Sequence, residues 1–77
     1  MPHIDVKLYP GPSKHQKTRL AERIVRDVVD TLNCDDSSVS VAIEEVEPED
    51  WTEKVYEPAI AAHWGQLYKT PGYRPSR

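Results

Sequence analysis

Hydrophobic and polar residues alternate from His3 to Tyr9. Ile4, Val6 and Leu8 lie on one side, and His3, Asp5, Lys7 and Tyr9 lie on the other. A period of two predicts a strand with one buried face. Pro2 has the same parity as the apolar side, so its ring is expected against buried surface. Pro10-Gly11-Pro12 stops the strand. The period then changes. Leu20, Ile24, Val25, Val28, Val29 and Leu32 recur at helical spacing and form one wide apolar stripe. Ser13 with Gln16 three residues later predicts a capping box, and Asn33 suits the C-terminal cap. The helix is therefore placed over residues 14–32. A loop over Asp35 to Ser38 leads into Val39-Ser40-Val41-Ala42-Ile43, a second strand expected to run to about Val46. Strand, amphipathic helix and strand predict a βαβ unit with parallel strands and a right-handed crossover.

Beyond the second strand the pattern is helical again. Pro48 to Trp51 predicts a helical turn with acids near its start. Val55, Ala59, Ile60, His63, Trp64, Leu67 and Tyr68 follow at helical spacing, and Pro58 is expected to kink or restart that helix. Trp64 is assigned to the core by its place in the stripe. Thr70-Pro71-Gly72-Tyr73 fits a type II turn, and Arg74 to Arg77 is expected to form a loose tail. The whole chain, residues 1–77, reads as one α/β domain.

Size then adds a requirement. The chain has 77 residues, and so short a chain usually needs a staple. Cys34 is the single cysteine, so no disulfide can form within the chain. His3, His15 and His63 lack metal-ligand spacing. Two strands alone are not a stable sheet, and their open edges invite pairing. Self-association is the remaining route, with a homodimer building a four-stranded sheet that carries helices.

The formal net charge is -3 with both signs interspersed, which argues against a nucleic-acid partner. Lys14, Lys17, Arg19, Arg23 and Arg26 read as a solvated helix face. No apolar run reaches membrane-spanning length, and the first residues lack signal-peptide character. The expected location is cytoplasmic, which suits a lone free thiol. Glu44 and Glu45 are neighbours in a strand and face opposite ways, so they do not form a paired-carboxylate site. Cys34, in a loop after a helix, reads as inert. Tyr56, Tyr68 and Tyr73 read first as core or interface packing.

Pro2 carries the candidate chemistry. Loss of Met1 would turn its nitrogen into a terminal secondary amine. An ammonium against apolar surface loses solvation, so its pKa falls. A base poised near neutral pH is efficient. The chain resembles the 4-oxalocrotonate tautomerase family, and the longer match is to its PptA-type branch. The resemblance rests on MPHIDVK, DSSVSVAIEEVEPEDW and KTPGY, in that order along the chain. It implies that the Pro2 nitrogen moves a proton between the oxygen of an enol and a carbon of its conjugated system, with no cofactor. The substrate class it implies is a small 2-hydroxy-2-enoic acid or an enolised arylpyruvate. It also places Trp51 where members carry an aromatic or apolar wall. Wall and core aromatic stand as equal readings of that residue.

The chain departs from the hexameric members, which use one arginine after the first strand and another within the second. Those places hold Pro12 and Ser40. Neither pairs with a carboxylate in a bidentate way. Ser40 and the backbone amide of Tyr9 are the donors left to hold a substrate, with Lys7, His3 and Arg19 as possible sources of the missing charge. Diacid substrates are disfavoured, and monocarboxylate aryl enols are expected. Two other readings keep the scaffold: a hydratase or dehalogenase using the same proline, and a non-enzymatic dimeric interaction module.

Overall fold

The structure is a computed structural model describing residues 1–74. The last three residues of the expected tail lie outside the described residues. The chain divides into two compact units, Met1–Glu45 and Val46–Arg77.

The first unit is the βαβ motif. Strand β1 spans His3–Leu8, helix α1 spans Lys14–Leu32, and strand β2 spans Ser40–Glu45. The strands pair in parallel, with His3 opposite Ser40, Ile4 opposite Val41 and Val6 opposite Ile43. Both are shorter than the alternation suggested. Tyr9 lies beyond β1, and Val39 and Val46 flank β2. The paired ladder runs from His3–Ser40 to Leu8–Glu45, and the side-chain pattern continues past both ends. Ile4, Val6, Leu8, Val41 and Ile43 are half-buried, whereas His3, Asp5, Ser40, Ala42 and Glu44 are exposed.

Helix α1 matches the predicted limits, and its ends show why. The Ser13 hydroxyl accepts from the Gln16 N–H at 3.1 Å, and the Gln16 side chain accepts from the Ser13 N–H at 2.8 Å. This reciprocal box satisfies two amides that the helix cannot. At the other end Asn33 sits at φ 59°, ψ 46°. Asparagine tolerates that left-handed conformation better than most side chains. Ser13→Ala is expected to cost about 1 kcal/mol and to lower Tm by about 4–8 °C, measured by thermal unfolding followed by circular dichroism.

The helical stripe is only half-covered. Ile24, Val25, Val28 and Val29 are half-buried, while Leu20 and Leu32 are 39% and 60% exposed. No residue of the first unit is fully buried. The face of α1 that meets the sheet is therefore wider than two strands can cover.

The second unit departs further from its pattern. A 3-10 turn at Pro48–Asp50 leads through Trp51 into a π-helix over Thr52–Ile60, then a 3-10 segment over Ala61–Gln66. Pro58 neither kinks nor restarts the helix. It lies inside the π-wound stretch, where a wider winding relieves the clash a proline makes with the carbonyl four residues back. The break comes later, at Ile60 (φ -109°, ψ -63°) and His63 (φ -123°, ψ 31°). That change of winding takes Trp64 out of the core, and it is 45% exposed; Tyr68 is fully exposed. Gly72 does not adopt the left-handed φ that a type II turn requires, so the Thr70–Tyr73 segment is a bend of another kind. Val46 and Val55 are the buried hydrophobic residues among those described, each 5% exposed.

Candidate active site

Pro2 sits immediately before β1 and is half-buried, while Met1 projects fully into solvent. Pro2 has no N–H to give to a ladder, and none is asked of it. Its carbonyl accepts from the Ser40 N–H at 3.2 Å. One residue of β2 thus fixes the backbone of Pro2.

Ser40 has a second role. Its hydroxyl lies 2.7 Å from Nδ1 of His3, directly opposite in register. A hydroxyl can give or accept a proton, so the contact suits either form of the ring and leaves Nε2 pointing elsewhere. Ser40 therefore anchors both Pro2, through its backbone, and His3, through its side chain. The sequence already held the signal for this pair. Matching Ile4 with Val41 puts His3 opposite Ser40.

The same exposed face of the sheet continues with a charge cluster. Lys7 Nζ donates to Asp5 Oδ2 and to Glu44 Oε1, at 2.9 Å each. The hydrogen bond to Glu44, then that to Asp5, raises the Lys7 pKa above its ordinary value. The cluster's contribution is present at and below the ordinary lysine value and is lost as pH rises through the raised one. Lys7 is thereby committed to two carboxylates, and it does not supply the charge missing at Pro12 and Ser40. Lys17 is likewise paired, with Glu45 at 2.9 Å. Arg19 is exposed on α1. Tyr9 follows β1 and is 49% exposed.

Trp51 belongs to the second unit and is half-buried. Its indole N–H donates to the Tyr73 hydroxyl at 3.0 Å. The Tyr73 ring also meets that of Tyr56, with centroids 5.9 Å apart and planes inclined at 52°. The helical stripe did not reveal this grouping, because it read the segment with a 3.6-residue period. A five-residue period would have put Trp51 and Tyr56 on the same side of the segment.

Among the described residues no group of acidic, histidine and cysteine side chains is placed to hold a metal ion. No described helix is long and apolar enough to cross a membrane. Cys34 is a free, half-buried thiol.

The βαβ unit thus brings Pro2 and the His3–Ser40 pair together at the strand starts, with α1 against the apolar face. Comparison with known proteins assigns it to a family. The family model described as tautomerase enzyme matches residues 2–54. A probable tautomerase of Xylella fastidiosa is 45% identical over 73 residues, covering 95% of this chain and 89% of that protein. Tautomerase PptA of an Enterobacter species is 42% identical over 74 residues, covering 95% and 97%. Among solved structures, TomN, a 4-oxalocrotonate tautomerase homologue in the tomaymycin biosynthetic pathway, is 34% identical with a TM-score of 0.63, covering 65% of this chain and 77% of its own. DmpI from Helicobacter pylori is 39% identical with a TM-score of 0.57, covering 60% and 78%. The chain belongs to the tautomerase family, and its enzyme class is isomerase.

Proposed function

We propose that this chain is a cofactor-independent keto–enol tautomerase whose general base and acid is the Pro2 nitrogen after Met1 is removed. The observation that carries the reading is the setting of Pro2. It is half-buried at the head of β1 and held by Ser40, behind a Met1 that an aminopeptidase can reach. The family match beginning at residue 2 supports it.

The steps balance without any other reactant. The neutral Pro2 nitrogen takes the proton from the enol hydroxyl. The O–H electron pair becomes the carbonyl π bond, and the C=C pair moves toward carbon. That carbon takes the proton back from the prolinium, giving the 2-oxo acid and free Pro2. Partial burial beside Ile4 favours the neutral amine.

Monocarboxylate aryl enols fit the site better than diacids. Pro12 cannot hold a carboxylate, Lys7 is paired with Asp5 and Glu44, and Ser40 and His3 offer hydrogen bonds rather than a bidentate clamp. The Tyr9 amide is proposed as a further donor, and Trp51 keeps the aromatic-wall reading that the resemblance gives it. A panel assay of the Met1-free protein tests this. Phenylenolpyruvate is expected to exceed 2-hydroxymuconate in kcat/KM by about 10-fold or more, the weight of one lost charge-assisted hydrogen bond. Preference for the diacid, or turnover of haloacrylates in place of enols, would overturn the assignment.

The acting form is proposed to be a homodimer. The half-covered stripe of α1, the open strand edges and a first unit with no fully buried residue all support it.

A further inference from the structure

Ser40 opens β2 and is tied to both Pro2 and His3 at the head of β1. Its N–H donates to the Pro2 carbonyl at 3.2 Å, and its hydroxyl lies 2.7 Å from Nδ1 of His3. The backbone that carries the Pro2 nitrogen and the ring of His3 are therefore held by one residue. All three belong to the first unit.

The His3–Ser40 pair has an unspent donor. A neutral histidine carries one ring proton, and a serine carries one hydroxyl proton. Their contact uses one of the two, so the other always faces outwards. Nε2 of His3 has no partner among the described residues, and the residue is exposed. When the Ser40 hydroxyl donates to Nδ1, the ring proton sits on Nε2. An anion at Nε2 favours that arrangement, because the bond made at one ring nitrogen sets which of them carries the proton.

The other charges of this sheet face are spent. Asp5 and Glu44 share Lys7, with both bonds at 2.9 Å, and neither carboxylate is bonded to His3. Between Ser40 and Glu44 on the same face stands Ala42, which offers no polar group. Consecutive Cα atoms are about 3.8 Å apart. A ring donor on residue 3 and the nitrogen of residue 2 can therefore serve the two ends of one small 2-oxo acid.

We propose that His3 binds the substrate carboxylate through its Nε2–H, and that Ser40 is the positioning residue whose hydroxyl donates to Nδ1 and keeps the ring proton on Nε2. The inference deepens the reading of the chain as a tautomerase of monocarboxylate enols and rests on it.

The test uses the full chain free of Met1. Trans-cinnamate, an unreactive aryl monocarboxylate, and cinnamamide, its uncharged counterpart, are titrated by calorimetry. His3→Gln places a carboxamide N–H near the position of Nε2, whereas His3→Asn places one near that of Nδ1. His3→Asn is expected to weaken cinnamate binding about 10-fold and to raise KM for phenylenolpyruvate by a similar factor, with kcat within about 2-fold. His3→Gln is expected to restore cinnamate binding to within about 3-fold of the wild type. Cinnamamide binding is expected to be the same in all three. In the cinnamate complex, nitrogen-15 spectra of the His3 ring are expected to show a proton on Nε2. Ser40→Ala is expected to weaken cinnamate about 3-fold and to mix the two ring forms.

The inference is overturned if His3→Asn binds cinnamate like the wild type, or if asparagine rather than glutamine restores affinity, the mark of a ring held for structure alone. It is also overturned by a parallel loss of cinnamamide, by an unprotonated Nε2 in the complex, or by a wild type that does not bind cinnamate. Should His3→Asn fail to fold, the ring spectra of the wild type and Ser40→Ala decide. Pro2→Ala separates this inference from the proline mechanism. Lost turnover in Pro2→Ala, with cinnamate binding indifferent to His3, overturns the carboxylate assignment alone. Retained turnover with a selective His3 effect overturns the proline mechanism and leaves the assignment standing.

Discussion

Pro2→Ala lowers kcat/KM on phenylenolpyruvate by about 10²-fold or more, the usual weight of a positioned general base, while the circular dichroism spectrum is unchanged. Alanine after Met1 removal still presents an α-amine, so charge alone is not abolished. What is lost is the ring, which fixes the nitrogen at the head of β1 and packs its methylenes on the apolar side. The Ser40 N–H to Pro2 carbonyl bond survives the substitution, because alanine keeps the carbonyl. The fold therefore stays and the chemistry goes. A second preparation sharpens the result. Protein in which Met1 is held in place by a preceding fused segment has an amide at Pro2, which cannot accept a proton. Its activity is expected to fall at least as far as that of Pro2→Ala. Wild-type turnover in either protein would contradict the mechanism.

Val25→Asp is expected to have the largest effect on the fold. Val25 lies on the apolar stripe of α1 and lines the groove between α1 and β2, with Val29, Val39 and Val41. A carboxylate there loses hydration against the three valines and meets the acids Glu22, Asp30 and Asp36 that line the same groove, with Arg26 as its one cation among the described residues, a cost of a few kcal/mol. Domains of this size have about 5–15 kcal/mol in total, and the first unit has no fully buried residue to draw on. The variant is expected to lose most of its far-ultraviolet helical signal at neutral pH. In sedimentation at low micromolar concentration the wild type is expected at twice the 8.8 kDa of one chain, and Val25→Asp at the single-chain mass. Arg19→Ser, on an exposed position of the same helix, is expected to stay within about 0.5 kcal/mol of the parent. A helical, dimeric Val25→Asp would contradict the claim that this face is covered by a second chain, and a hexameric wild type would contradict the dimer.

Helix α1 and both strands were legible in the sequence because local signals agreed with the fold. Ser13 and Gln16 fixed one end of the helix, Asn33 the other, and the alternation Ile4, Val6, Leu8 against Val41 and Ile43 set the ladder. The second unit was less legible for a physical reason. Its winding is not α-helical, so a 3.6-residue period assigned Trp64 to the core and missed that Trp51 and Tyr56 both meet Tyr73. Pro58 was read as a break, because the α-helical rule does not foresee a wider turn that absorbs it. Within the proposed site, Pro2 and Ser40 were both named through the family resemblance, Pro2 with support from its place at the head of an apolar strand face; the contact of Ser40 with His3 was not foreseen. The commitment of Lys7 to Asp5 and Glu44 was not visible, since it depends on which strand lies beside which.

The central claim concerns one nitrogen, and its titration tests that claim most directly. In protein free of Met1 and labelled with nitrogen-15 at proline, the Pro2 resonance is followed by NMR across pH. The same samples give the pH profile of kcat/KM on phenylenolpyruvate. The account predicts a Pro2 pKa below the ordinary α-amine range of about 8, coinciding with the acidic limb of the profile. A Pro2 amine that titrates above that range, or an acidic limb at a different pH from its titration, would contradict it.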